Sequence, residues 1–497
     1  MSQRPNFVVI LTDQQRRDSL GCYGNSVADT PNIDALAERG VLFENAFTAN
    51  LICSPSRASL LTGRMPRTHG LLTNGCWLSP CETTLPHVLA SQGYRTAHVG
   101  KCHLAPHNRL DPKIGKNESG YLSPEGPEFW EQGRAFPRPY YGFQEAKVCS
   151  GHGHDFMDYY SDLLRRDPKL PELLKKENAL EPPTGAPSSW KSAIPEEHHC
   201  STWVADSAVE FLQRTAQSDD PFFLFVGFPD PHFPYCPPAP WCNKFDPLAV
   251  PLPKRNRDEL QTASKEYAWR IDRFAKAWPY HPLDMPEAHV REIIAHTYGM
   301  VSLLDANVGR IVDSLKRLQL YDETIVILTT DHGEHLGDHW LIYKCSPYDE
   351  LLHLPLIWSC PSLLPANKRT TGIVSHIDIM PTILDLCGLP HPRGIQGASY
   401  AQGLAKGQTA GRPYAFLEDD SEDGKSYLRT IRTPEYRLSY YLPAGDGDLY
   451  DLSNDPHEFV NHWHDSSYAS IRTELLELML QATIQATDPK PERVSPA

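Results

Sequence analysis

Over the first two-thirds of the chain, short apolar runs alternate with stretches of helical periodicity. The runs Asn6–Leu11, Tyr94–Val99, Phe222–Phe228 and Thr324–Thr330 are rich in β-branched and aromatic residues and lack strict in-and-out alternation, as expected of strands buried on both faces. Between them, Thr30–Arg39 reads as a helix. Thr30 suits its cap, Pro31 its first turn, Ile33, Leu36 and Ala37 form an apolar stripe, and Gly40 ends it. A second helix, about Glu287–Leu318, returns the chain to the strand at Thr324. The pattern predicts an α/β fold: a large, mostly parallel sheet sandwiched by helices.

From Leu104 to about Trp190 this regularity breaks down, with many Pro, Gly, His and Tyr residues and one helix-like piece near Asp158–Lys176. An insertion of that length inside a compact domain reads as a lid or pocket wall. A proline-rich stretch, Pro229–Pro253, reads as lining the same opening. After about Ala410 the period shortens: Ser426–Arg432 and Tyr436–Tyr441 alternate as strands, Pro443–Asp455 is turn-rich, and Ser470–Ala486 is helical. The expected division is therefore a catalytic domain over 1–409 and a small C-terminal antiparallel sheet with a helix over 410–497.

Composition narrows the function. A chain of 497 residues with 40% hydrophobic and 22% charged residues has an ordinary globular make-up. A net charge of −15 supplies no cationic footprint for nucleic acid or anionic lipid, so neither is expected as a partner. The first apolar run is too short for a signal-peptide core and no run reaches bilayer-spanning length, so the chain reads as cytoplasmic. Twelve cysteines without Cys-x-x-Cys pairs read as reduced thiols rather than a disulfide or zinc framework.

In open parallel sheets, ligands bind beyond the carboxyl ends of the strands. All four predicted strands end in polar chemistry: Asp13 and Gln14, Lys101 and His103, Asp230 and His232, Asp331 and His332. One strand-terminal aspartate is most often a helix cap or turn residue; four strands in agreement point to a site. Carboxylate, amide oxygen and imidazole suit a divalent cation such as Ca²⁺, Mn²⁺ or Mg²⁺, and with no thiolate or histidine cluster to complete a tetrahedral set, zinc is disfavoured. The sharpest local feature is Cys53-Ser54-Pro55-Ser56-Arg57 running into Leu61-Thr62-Gly63. With Ser54 as cap and Pro55 as first helical residue, Cys53 would stand just outside the positive end of a helix, beside Arg57. His335 and His339 have metalloprotease spacing, but Leu336 stands where the glutamate after the first His belongs, and Gly337 interrupts the helix. Asp446-Gly447-Asp448, with Asp451 and Glu458, is better read as a turn than as a calcium loop. His152, His154, His198 and His199 are candidates to line the pocket or a second metal site, with surface loop histidines as the default reading.

Cys-x-Pro-Ser-Arg with Leu-Thr-Gly resembles the motif of the type I sulfatases, within the alkaline phosphatase-like superfamily. The resemblance extends through Gly100-Lys101-x-His103, Pro231-His232-x-Pro234, Asp331-His332-Gly333, Lys344, Ser375-His376-Ile377-Asp378 and Leu449-Tyr450-Asp451-Leu452. Most members have two adjacent aspartates after the first strand and Asp-Asn after the fourth. The Asp13-Gln14 and Asp331-His332 pairs are similar to those of choline sulfatases and phosphonate monoester hydrolases.

The resemblance implies that Cys53 is oxidised to formylglycine by a maturation enzyme. Its hydrate would attack the sulfur of a small-molecule or saccharide sulfate ester and then expel sulfate. Asp13, Gln14, Asp331, His332 and an oxygen of residue 53 would hold one divalent metal, Ca²⁺ with Mn²⁺ as alternative. Arg57 would orient the hydrate, Lys101 and Lys344 would bind sulfate oxygens, His103 would act as base and His232 as acid toward the leaving oxygen. The competing readings are a phosphonate monoester or phosphodiester hydrolase with the same nucleophile, a choline sulfatase, and a non-catalytic member with unmodified Cys53. His69, Asn74, Trp77, Tyr140, Tyr141 and Trp241 are candidates to face a sugar or aryl ring, and a chain of this size is a candidate for self-association.

Overall fold

The computed structural model describes residues 4–109, 122–150, 157–277, 280–344, 346–420 and 425–487. His152 and His154 lie outside the described residues. The large sheet has eight strands in the spatial order Lys368–Thr370, Gly40–Phe43, Leu356–Ser359, Thr324–Thr330, Asn6–Thr12, Phe222–Gly227, Arg95–Gly100 and Glu145–Val148. Every pairing is parallel except the two made by Leu356–Ser359.

The missing alternation in the apolar runs has a direct cause. Along Asn6–Thr12, Val8 and Ile10 point into one core with helices Cys200–Thr215 and Glu287–Arg317, while Phe7, Val9 and Leu11 point into the other. That second core is closed by Ala58, Leu60 and Leu61, together with Leu85, Leu89, Ile379 and Met380. Both pleat faces are covered by helices, so every strand position must be apolar.

Strand ends are drawn together where a side chain would not fit. A Cβ on Gly100, whose φ is +92°, would lie 2.0 Å from the Gly227 carbonyl oxygen, and one on Gly227 would lie 2.1 Å from that of Lys101. Two glycines at one level let the Arg95–Gly100 and Phe222–Gly227 strands stay in contact as Lys101 turns over the sheet edge.

Several local expectations are corrected. The helix of the cysteine motif begins at Cys53, not Pro55, with Ile52 in the extended capping conformation. Pro55 therefore sits at the third helical position, which it tolerates because first-turn N–H groups lack intrahelical acceptors anyway. Glu145–Val148 forms the edge strand of the sheet inside the segment that seemed irregular, and Met157–Arg166 is its helix, followed by the 3₁₀ turn Leu170–Leu174. The C-terminal sheet has four antiparallel strands, Ala415–Asp420, Tyr427–Arg432, Tyr436–Leu442 and Asp446–Asp451, so Pro443–Asp455 holds a strand rather than turns alone.

Helix Ala469–Gln485 covers one face of that sheet through Leu475, Met479 and Ala482, packed with Ile431, Leu438 and Leu449. The other face packs Leu417, Leu428 and Tyr441 against Phe47 and Leu51. Asn50 Nδ2 donates to the Glu418 carbonyl at 2.5 Å, and Glu418 N–H donates to the Ala49 carbonyl at 3.1 Å. The small sheet thus braces the segment that leads into Cys53. Among the described residues no helix is long and apolar enough to cross a membrane.

Candidate active site

Four strand ends and one helix start converge on Cys53. Its Sγ lies 3.6 Å from Asp13 Oδ1 and 3.2 Å from His332 Nε2, and Lys344 Nζ donates to it at 2.8 Å. One ligand atom each from Asp13, Cys53, Asp331 and His332 falls within a 4.8 Å group, all buried. The group holds one imidazole, one thiol and two carboxylates, with His332 the one histidine among them.

Arg57, fully buried one helical turn after Cys53, ties the acids together. Its Nε donates to Asp331 Oδ2 at 2.9 Å, one terminal nitrogen to Asp13 Oδ2 at 3.3 Å, and the other to the Lys101 carbonyl at 2.8 Å. Lys101 Nζ also donates to Asp13 Oδ2. Burial would push Asp13 upward, but Lys101, His232, Arg57 and Lys344 overcome it and hold the carboxyl well below its usual range. Burial and Asp13 both raise Asp331, yet His332, Arg57 and Lys101 leave its pKa lowered. Both groups are therefore carboxylates at neutral pH, set among Arg57, Lys101 and Lys344: three cations against two anions in a buried pocket.

Gln14 and His103 take the left-handed backbone region, with φ of 61° and 60°. For non-glycine residues this costs on the order of 1 kcal/mol or more each. Hydrogen bonds hold both in place: Gln14 N–H donates to Asp331 Oδ1 at 3.0 Å and His103 N–H to Glu125 Oε2 at 2.6 Å. Glu334 fixes the Gln14 amide. A carboxylate only accepts, so Gln14 Nε2 faces it. Gln14 Oε1 is left buried without a hydrogen-bond partner. An orphaned acceptor beside two carboxylates is what a cation ligand set requires.

Tautomers follow by the same logic. The His332 Nδ1–H donates to the Gly333 carbonyl at 2.9 Å, which leaves the Nε2 lone pair facing Cys53, and burial lowers its pKa to about 4. The His232 Nδ1–H donates to the Phe233 carbonyl at 2.5 Å, and burial and Lys344 hold its pKa well below the usual value. Lys344 Nζ lies 3.3 Å from His232 Nε2 and 3.2 Å from His332 Nε2, so its three N–H groups are matched by two imidazoles and one sulfur. Its pKa is raised by Cys53, Asp13 and Asp331 against the opposing effect of burial. Both ring nitrogens of His103 are buried and without hydrogen-bond partners. Burial first, then His107 and Lys101, lower its pKa well below the usual value. The Cys53 thiol is raised, by burial and Asp13.

The contacts above join Asp13, Gln14, Cys53, Arg57, Lys101, His232, Asp331, His332 and Lys344, while the His103 ring packs against His107 with centroids 4.0 Å apart. Sequence reasoning missed Glu334, which also accepts from Tyr235 Oη at 3.0 Å, and Glu125, whose carboxylate collects the N–H groups of His103, Leu104 and Ala105. Glu334 lies three residues past Asp331, where inspection of the strand end could have found it; Glu125 sits in a loop with no pattern. Of the ring-facing candidates, Tyr140 and Tyr141 are core residues and His69 hydrogen-bonds Ser59 Oγ at 3.0 Å. Asn74 instead accepts from the Ser54 N–H at 3.2 Å.

The family model described as Sulfatase matches residues 5–389, and the model for the C-terminal part of N-sulphoglucosamine sulphohydrolase matches 337–485. The chain is 30% identical to iduronate 2-sulfatase of Mus musculus, covering 94% of this chain and 92% of that one. It is 24% identical to N-acetylglucosamine-6-O-sulfatase of Bacteroides thetaiotaomicron, covering 99% and 88%. Among solved structures, phosphonate monoester hydrolase of Agrobacterium radiobacter superimposes with a TM-score of 0.82 at 27% identity, covering 98% of this chain and 96% of that one. With the motif helix, the strand-end acids and the surrounding cations in one buried centre, the chain belongs to the sulfatase family and is a sulfuric-ester hydrolase.

Proposed function

We propose that the chain cleaves saccharide sulfate monoesters at the centre built around residue 53, after a maturation enzyme has converted Cys53 to formylglycine. The observation that carries this reading is the placement of Cys53 Sγ within reach of Asp13, His332 and Lys344 at the start of a helix whose Arg57 bridges both acids. As a hydrated aldehyde, residue 53 offers two hydroxyls on one carbon, one for in-line attack on sulfur and one to expel sulfate and restore the aldehyde.

Asp13, Gln14 Oε1, Asp331 and His332 Nε2, with an oxygen of residue 53, would hold a divalent metal, and the orphaned Gln14 oxygen fits that set. Such an ion supplies Lewis acidity that makes a hydroxyl more acidic and offsets charge on the sulfate oxygens. Ca²⁺ and Mn²⁺ both match these donors.

Arg57 holds the acids and the base of the motif helix in register. Lys101 and Lys344 bind sulfate oxygens as point charges in a water-poor centre, where fixed charge is most effective. His103, neutral through burial, is ready to take a proton from residue 53. His232 is the acid toward the leaving oxygen: its Nε2 faces Lys344 at 3.3 Å, and an anionic sulfate lying against it favours the protonated ring, while Lys344 keeps its charge on the sulfate. In this reading residues 1–409 hold the chemistry, while 410–497 brace the nucleophile segment and close the leaving-group side.

A second reading is favoured by the TM-score of 0.82 to a phosphonate monoester hydrolase. A phosphodiesterase would use the same nucleophile. Enzyme matured in the presence of the formylglycine-generating activity should be compared on 4-nitrophenyl sulfate and bis(4-nitrophenyl) phosphate. A higher kcat/KM on the sulfate supports the first reading, and a strong preference for the diester replaces it with the second.

A further inference from the structure

A cavity of about 770 Å³ lies between helix Lys265–Ala277 and the C-terminal sheet. Its inner wall includes Ile52, the residue before Cys53, and Thr73, whose neighbour Asn74 accepts from the Ser54 N–H. Cavity and nucleophile therefore share the start of one helix. The helix on the far wall also reaches the histidine assigned as leaving-group acid: the Phe274 ring lies 6.4 Å from Tyr343, Tyr343 lies 4.2 Å from Phe233, and Phe233 stacks on His232 at 4.3 Å.

The lining has a stacking platform and surplus positive charge. Trp269 is 49% exposed, with the guanidinium carbons of Arg270 and Arg273 at 5.9 and 5.4 Å from its ring. The acids in the wall are already neutralised. Glu266 pairs with Arg270 at 2.8 Å, and Asp420 pairs with Arg67 and with Arg429, each at 2.8 Å. Burial pushes Asp419 up to about 7. Among the described residues, Lys265 and Arg273 have no carboxylate within ion-pair distance. Two polar atoms of the lining are buried without a hydrogen-bond partner, Thr73 Oγ1 and Arg270 Nε, and Thr73 as a whole is only 6% exposed.

We propose that this cavity holds the leaving group of the substrate: a saccharide whose ring stacks on Trp269 and whose second acidic group, a sulfate or carboxylate, is held by Arg273 and Lys265. This rests on the saccharide-sulfate reading of the Cys53 centre and adds to it a second acidic group on the substrate and the residues that hold it. An indole face flanked by guanidinium groups accepts a pyranose ring, and a charge-assisted hydrogen bond to a second anion adds discrimination of roughly tenfold or more.

The test compares sulfated glucosamines and uronate-containing disaccharides bearing one acidic group with those bearing two or three. Matured wild-type enzyme should favour the multiply anionic probes at least about tenfold in kcat/KM, with the difference in KM. Arg273→Ala and Lys265→Ala should bring that ratio near one, and Arg273→Lys should restore most of it. Affinities of the same probes for a Cys53→Ala background, by calorimetry, should follow the same order. A wild-type enzyme with no preference, or a preference that survives both alanine substitutions, overturns the proposal. Failure of the sulfatase reading has a different signature: no probe is hydrolysed by aldehyde-bearing enzyme, while the calorimetric discrimination by charge persists.

Discussion

Three clusters of imidazole and carboxylate stand among the described residues, one of them His199, Cys200 and Asp230, and the other two do different work. One is Asp13, Cys53, Asp331 and His332; the other is His339, Glu350 and Glu458, at the seam with the C-terminal sheet. Each brings its ligand atoms within 4.8 Å. In the second, the acids are answered by local partners. Glu350 accepts from His335 Nδ1 at 2.9 Å, Glu458 accepts from Arg437 Nε and from the Asp349 N–H, and His339 Nδ1 donates to Glu259 at 2.7 Å. In the first, cations outnumber carboxylates, Gln14 Oε1 has no partner and neither do the His103 nitrogens. Neither clustered charge nor orphaned atoms alone mark an active site, since Glu259 Oε1, His335 Nε2 and Arg437 Nη2 around the second cluster are also buried without partners; a nucleophile set among surplus cations does.

The contrast breaks most sharply at Arg437, which is fully buried and faces Glu458. Removing one partner of a buried pair leaves an uncompensated charge, so Arg437→Ala should lose about 3–5 kcal/mol of stability in denaturant unfolding. The kcat of the enzyme that remains folded should hold. Lys344→Met should do the opposite, with kcat down roughly 10²–10³-fold on an aryl sulfate and a much smaller shift in unfolding than Arg437→Ala. Equal effects of the two substitutions on both readouts would erase the distinction between the clusters.

The smallest effect is a pH dependence. Burial lowers the pKa of His339, but Glu350 and Glu259 raise it more, to about 8, against an ordinary value of 6.5. A folded-state pKa above the unfolded one means the protonated ring stabilises the fold. That contribution is complete below pH 6.5 and lost as pH rises through 8, about 2 kcal/mol at most. Burial also raises Glu458 to about 7 and so adds a decline of the same sign. The difference between wild type and His339→Gln isolates the histidine, and should narrow to nothing at high pH. A difference that does not change between pH 6 and 9 would contradict the assignment.

Legibility in the sequence followed burial and chain locality. The Thr324–Thr330 strand is read to the residue because both its faces are apolar and Thr324 and Asp331 mark its limits. The site acids are legible because a parallel sheet delivers strand ends to one edge. The strand Asp446–Asp451 was hidden because its Asp-Gly-Asp sequence looks like a turn. It is buried instead among hydrogen bonds from Tyr441 to Asp448 at 2.6 Å and from Asn461 to Asp448 at 3.2 Å, partners no local pattern reveals. The start of the Cys53 helix was misplaced by two residues because serine and proline are both at home in a first helical turn. Trp269 and Arg273 were passed over for the same reason as Glu125: their significance comes from what the fold sets opposite them.

The central claim is that residue 53 acts as an aldehyde hydrate, and it is tested by measuring the mass of the tryptic peptide Gly40–Arg57 together with the turnover of an aryl sulfate, in preparations matured to different extents. Turnover should rise in proportion to the fraction of peptide in which the thiol has become an aldehyde, and extrapolate to zero for the unmodified chain. Full turnover from a preparation whose peptide carries only the thiol would contradict it.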